Sequence, residues 1–240
     1  MAPRCFITSP LTANGEKRVR ATGKALLGND RLIVPKNLVH VYVTTPLSAV
    51  WLSEPESGTT SPPRTRAQRT LELLELGCRE RLPWTESRQA EEKEPIRTEA
   101  KVSITDAVRE WDYGDYEGLT SKQIKALREE SGEKPWNIWT DGCPGGESPD
   151  DVVKRLDALI ADIKEKYHRP CLESGSEAGK GDVLVVAHGH ILRAFAMRWT
   201  GKPLMETSLI LDAGGVGTLS YEHHNLDEPA IILGGGFVVE

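Results

Sequence analysis

The chain has 240 residues (26.5 kDa), a formal net charge of −6 and a sequence pI of about 5.6. Counting Gly and omitting Tyr, about 45% of it is apolar, the range of ordinary globular domains, so a buried core is expected and wholesale disorder is not. The acidic balance argues against broad electrostatic binding to nucleic acid or an anionic membrane, and leaves room for a small basic pocket for one phosphate.

In chain order, Arg4–Ile7 reads as a short strand and Thr12–Leu27 as a helix. Thr12 is its cap, Glu16 lies in its first turn, and Gly28-Asn29-Asp30 stops it. Val39–Thr44 alternates and is β-branched, as a strand requires. Arg64–Leu76 is helical, Lys101–Thr105 a short strand and Thr120–Glu130 a helix. Ser148–Tyr167 is the clearest helix, capped by Ser148, with Pro149 at its first position and Asp150 and Asp151 at the positive end of its dipole. Val152, Val153, Leu156, Leu159, Ile160 and Ile163 form its apolar stripe. Asp182–Ala187 is the continuously apolar kind of strand that is buried on both faces, followed at once by a helix, Ile191–Thr200. Gly217–Tyr221 and Ile231–Leu233 are late strands. Strands alternating with helices predict an α/β fold: a mostly parallel central sheet with helices on both faces, with ligands at the carboxyl ends of its strands.

Two stretches fall outside this pattern. Thr44–Pro63 is rich in Ser, Thr and Pro and is long for a strand-to-helix connection. In Arg79–Ala100 half of the residues are charged, which reads as a solvated excursion. The opening Met1–Thr8 has no apolar stretch of signal-peptide length, and no apolar run is long enough to cross a bilayer. Cys5, Cys78, Cys143 and Cys171 lie far apart without a CxxC pair, which suggests neither a zinc site nor a disulfide framework. A reduced, cytoplasmic protein is expected.

Four segments carry candidate chemistry. His188, at the end of the apolar strand and followed by Gly189 and a helix, would sit beside free backbone N–H groups at a helix N-terminus, an anion site; a packed turn histidine is the plainer reading. His190 reads as a helix cap. Arg64 and Arg66 open a helix after a strand, where guanidinium groups can grip phosphate, or simply form a solvated basic face. Arg109–Gly118 sets carboxylates among aromatics, and a carboxyl so placed can stay protonated and act as a general acid. Gly145-Gly146-Glu147-Ser148 feeds the capped helix; capping explains Ser148, while Glu147 has no role that the sequence assigns.

Taken in order, Pro10–Gly15 (PLTANG), Ser61-Pro62 through Thr70, Val108–Gly118, Gly145–Ser148 and Ala187–Arg193 (AHGHILR) resemble the histidine phosphatase, or phosphoglycerate mutase-like, superfamily. The segments EWDYGDYEG, KPWNIWTDGCPGGES and VVAHGHILR are most similar to its fungal sedoheptulose 1,7-bisphosphatase branch. The resemblance implies a three-layer sandwich in one domain over residues 1–240. It also implies a sugar-phosphate phosphatase that works through a phosphohistidine, without metal or cofactor, on a small-molecule substrate and with no nucleic-acid or membrane partner. On that resemblance Arg66 is the phosphate-pocket arginine, Glu110 the acid that protonates the leaving alcohol, and His188 the second pocket histidine. Arg64 and His190 are supporting contacts, and Arg193 is a structural arginine.

The chain departs from the family pattern twice. The Arg-His-Gly that carries the nucleophile after the first strand is absent: Arg4–Ile7 runs through Thr8-Ser9 straight into Pro10-Leu11-Thr12, and the first histidine is His40. The stretch 44–63 is an insertion, and residues 7–10 mark an excision, as a differently spliced message would encode. The expectation is therefore an impaired phosphatase. The alternatives are an inactive phosphate-binding remnant and, ranked lowest, a metal hydrolase using His188, His190 and the His223-His224 pair, since HxH spacing suits zinc.

Overall fold

The computed structural model describes residues 11–45, 66–84, 95–174 and 180–233. The expected strand at Arg4–Ile7, Cys5, most of the Thr44–Pro63 insertion and Arg64 lie outside them.

Helix α1 spans Ala13–Leu26 and begins where the Thr12 hydroxyl accepts the Gly15 N–H at 3.1 Å. Strand β1 is Leu38–Thr44, and helix α2, Arg66–Leu74, packs against α1 and β1. The two helices are tied by Arg69, whose guanidinium forks onto both Glu16 oxygens (2.7 and 3.2 Å) and also bonds Glu72 (2.9 Å). This removes one of the three arginines of the α2 region from the pool available to a ligand.

Strand β2 (Lys101–Thr105) and strand β3 (Asp182–Val186) flank β1 in a parallel sheet of order β2-β1-β3. Val43 pairs with Ile104 on one side and Val186 on the other. The alternation of β1 divides the core in two. Val41 and Val43 join Val19 of α1 and Leu71 of α2 on one face. Tyr42 joins, on the other face, a core built by helix α5 (Pro149–Ile163) and helix α7 (Gly189–Trp199), with Leu156, Ile160, Ile191 and Phe195. The expected α/β sandwich, helices on both faces of a parallel sheet, is the observed one.

Helix α3 (Ser121–Glu130) and α5 both start with reciprocal caps, Thr120 with Gln123 and Ser148 with Asp151. Between them lies the short α4, Ile138–Asp141. Two expectations are corrected. The Ser148–Tyr167 helix changes character at Ile163: a wide π-turn, Lys164–His168, follows, then α6, Arg169–Glu173. Pro170 supplies the reason, because its ring has no N–H for the carbonyl four residues back and crowds it, opening the regular ladder. Strand β3 is half-buried along Val183–Val185 with Asp182 exposed, and is not buried on both faces; among the described residues it pairs only with β1. The two late strands expected from the sequence are present as β4 (Thr218–Tyr221) and β5 (Pro229–Ile232), which form a separate antiparallel pair. No described helix is long and apolar enough to cross a membrane.

Candidate active site

The parallel strands end at Thr44, Thr105 and Val186 on one edge, and the candidate residues follow those ends. Glu110 lies five residues past β2, His188 two past β3, and Arg66 opens α2. His188 is the N-cap residue of α7, extended at φ −116° and ψ 169°, yet its ring makes no cap bond. Burial, and secondarily the positive charge of Arg66, push its pKa down to about 4, so the imidazole is neutral at pH 7 and within electrostatic reach of that guanidinium. Arg66 itself is exposed.

Two N–H groups at the start of α7, those of His190 and Ile191, are not free, which narrows the picture of an open anion site. They are taken by Glu110. Its Oε1 accepts from Ile191 N (3.0 Å) and Trp111 N (3.0 Å), and its Oε2 accepts from His190 N at 3.3 Å. The sequence pointed to a carboxyl among aromatics and, far along the chain at His188, an anion site; the fold uses one to fill part of the other. Burial raises the Glu110 pKa, and the three N–H groups pull it back. Oε2, with the single longer bond, is the oxygen left able to carry a proton. A carboxyl held so can donate that proton to a leaving oxygen.

His190 does not cap the helix. Its Nδ1 lies 2.6 Å from the Tyr113 hydroxyl and its ring packs on Trp139. Burial, then Arg193, push its pKa down to about 4. Arg193 stacks its guanidinium over Trp139 at 5.2 Å while its Nε donates to Gly189 O (3.1 Å), a clasp on the α7 N-terminus. His190 also borders a cleft of about 340 Å³ between α3 and the Pro135–Ile138 segment, lined by Ser121, Lys125 and Trp136.

The residue that sequence reasoning missed is Glu147. Its carboxylate is 7% exposed and accepts from Arg109 (2.7 Å), from both Nε and NH2 of Arg155 (2.9 and 3.0 Å) and from Asp112 N (3.1 Å). Its backbone carbonyl takes the Trp111 indole N–H at 3.0 Å, and its N–H donates to Asp112 O at 3.0 Å. The only sequence signal was an acidic residue in a glycine loop with an arginine two helical turns on. The glycines have their own reason. Gly114 has φ +53°, and a Cβ there would strike Pro144 O; a Cβ on Gly146 would strike Asp112 O.

The four histidines of the metal reading do not converge. Among the described residues, the one His/Cys/Asp/Glu cluster with donor atoms within 4.8 Å of one another is Glu222, His223 and Glu228, on an exposed turn that includes neither His188 nor His190. Cys78, Cys143 and Cys171 are free thiols.

The family described as "Histidine phosphatase superfamily (branch 1)" matches residues 53–228. Sedoheptulose 1,7-bisphosphatase of Saccharomyces cerevisiae is 32% identical over 95% of this chain and 84% of its own length. Among solved structures, the product of an open reading frame of Mycobacterium tuberculosis is 25% identical with a TM-score of 0.61, covering 96% of this chain and 87% of that one. A phosphoglycerate mutase from Bacillus anthracis shares the fold at 18% identity and TM-score 0.56, over 94% and 81% of the two chains. The chain belongs to the histidine phosphatase superfamily, and its curated relatives are phosphatases, phosphoric monoester hydrolases.

Proposed function

We propose that this chain is a sugar-phosphate phosphatase by descent, of the sedoheptulose 1,7-bisphosphatase type, that retains an anion-binding and proton-donating half-site and lacks its nucleophile. The observation that carries the second part is in the sequence: of six histidines only His188 is followed by glycine, and none is preceded by arginine, so the Arg-His-Gly of the family occurs nowhere. The first part rests on Glu110, His188 and Arg66 gathering at the carboxyl edge of the sheet.

In this reading Arg66 and His188 hold the oxygens of a phosphoryl group. Glu110, protonated on Oε2, faces the leaving alcohol. In a complete site a histidine attacks phosphorus, the P–O bond to the sugar breaks, the alcohol oxygen takes the Glu110 proton, and water then releases phosphate from the phosphohistidine. Without the attacking imidazole, binding and charge stabilisation remain, which in hydrolases stripped of their nucleophile amounts to a small residue of the full rate. The predominance of binding over turnover is the feature to test. Calorimetry with inorganic phosphate and with a sugar bisphosphate is expected to show saturable binding, weakened at least about tenfold in Arg66→Ala. Absence of heat in the unaltered chain, or an unchanged affinity in the variant, would contradict the reading.

A further inference from the structure

We propose that Glu147 is a positioning residue for Glu110: it fixes the two residues that bracket the acid, Arg109 and Asp112, and so holds the acid's carboxyl against the start of α7. The inference rests on the role given to Glu110 above and assigns what secures it.

The connections are direct. Glu110 belongs to an irregular segment between β2 and α3, where no sheet or helix ladder supports it. On its N-terminal side Arg109 bonds Glu147 Oε1; on its C-terminal side Asp112 N bonds Oε2, and Asp112 O receives the Glu147 N–H. Trp111, fully buried between them, gives its indole N–H to the Glu147 carbonyl. One residue of the glycine loop thus holds the flanks of the acid at four points. It is anchored in turn to α5 by the bidentate Arg155, which also donates to Ala107 O at 2.8 Å. The absent side chains of Gly114 and Gly146 let the two loops approach closely enough for these bonds. The direction of the effect on Glu110 follows from its surroundings. Burial is what raises its pKa most, and Arg155 is a cation that lowers it. Removing the Glu147 charge frees Arg155 from its counter-ion, and loosening the flanking residues admits water; both favour the ionised carboxyl, and burial, the largest influence, outweighs the N–H bonds that loosening would cost.

The test follows the Glu110 side-chain carboxyl by carbon NMR in the full chain labelled at glutamate, with Glu110→Gln identifying the signal. In folded Glu147→Gln the Glu110 midpoint is expected to fall toward the ordinary glutamate value. A role in stability alone would lower the melting temperature and leave the midpoint of the folded protein where it was, and that result overturns the proposal. Glu147→Asp keeps the charge and shortens the reach. It is expected to move the midpoint in the same direction by less, and where Glu147→Gln does not fold, an unmoved midpoint in Glu147→Asp overturns the proposal instead. Phosphate calorimetry on the unaltered chain separates the two claims, since failure to bind phosphate counts against the functional reading and leaves the Glu110 titration to decide the role of Glu147.

Discussion

The side chains of the site owe their properties to what surrounds them more than to their type. Glu147 and Arg155 show how much is at stake in one pair. Their side chains are 7% and 13% exposed, joined by two bonds, so removing the arginine leaves a buried carboxylate with only the half-exposed Arg109 as counter-ion. Arg155→Leu is expected to cost roughly 3 kcal/mol of stability, read from urea unfolding, because the penalty is that of an under-compensated buried charge. A loss under about 0.5 kcal/mol, the size of an exposed ion pair, would show that the pair is not buried in solution. This scale is also where the sequence was least informative. Glu110 was singled out from the other carboxylates of its stretch, Asp112, Asp115 and Glu117, by the family resemblance alone, and His188 was proposed from its place at a strand end. Glu147 was not legible, since its partners come from positions 38 residues before it and 8 after it and converge only when two loops meet.

At the level of elements, boundaries were set by local chemistry and were correspondingly readable. Thr12, Thr120 and Ser148 each start a helix by accepting a backbone N–H, as the sequence implied for Thr12 and Ser148. Ser148→Ala is expected to lower stability by about 1 kcal/mol in thermal or urea unfolding. The same change leaves Glu147 in place, so phosphate affinity is expected to hold. Gly146→Ala acts differently: its new methyl meets Asp112 O, pushes apart the loops that carry Glu147 and Glu110, and is expected to weaken phosphate binding and stability together. Unchanged values for both would mean that the loops do not approach as described. What the sequence misread among elements was non-local. The apolar run of β3 matches a strand covered on both faces, but its burial depends on what lies beside it, and only β1 does so among the described residues. The π-turn escaped for a related reason: Pro170 sits late enough that the apolar stripe of α5 is complete before the ladder opens.

Over the whole molecule, the parallel order β2-β1-β3 explains why residues from the middle and the last quarter of the chain share one edge, and why a strand–helix alternation was enough to anticipate where they would lie. The same packing keeps three histidines neutral. Burial drives His168, His188 and His190 to about 4, below their ordinary value. Between about pH 6.5 and 4 the unfolded chain binds protons that the folded chain refuses, so stability is expected to fall as pH is lowered through that window. Glu110, Glu117 and Asp182, raised in the folded state by burial, act in the opposite sense, while His40, lowered by burial, and Glu16, Glu99 and Asp151, lowered by their hydrogen-bond partners, add to the loss. Scanning calorimetry from pH 7 to 4.5 is expected to show a falling melting temperature, and a constant or rising one would contradict this assignment. The central claim is that the chain is a phosphatase scaffold with its attacking group missing. The most direct measurement is phosphate release from sedoheptulose 1,7-bisphosphate by this chain and by one carrying Arg-His-Gly inserted between Ile7 and Pro10. The restored chain is expected to be faster by at least about 10³-fold, given what loss of a nucleophile costs in other hydrolases. Equal rates would show that the chain already holds its nucleophile and that the claim is wrong.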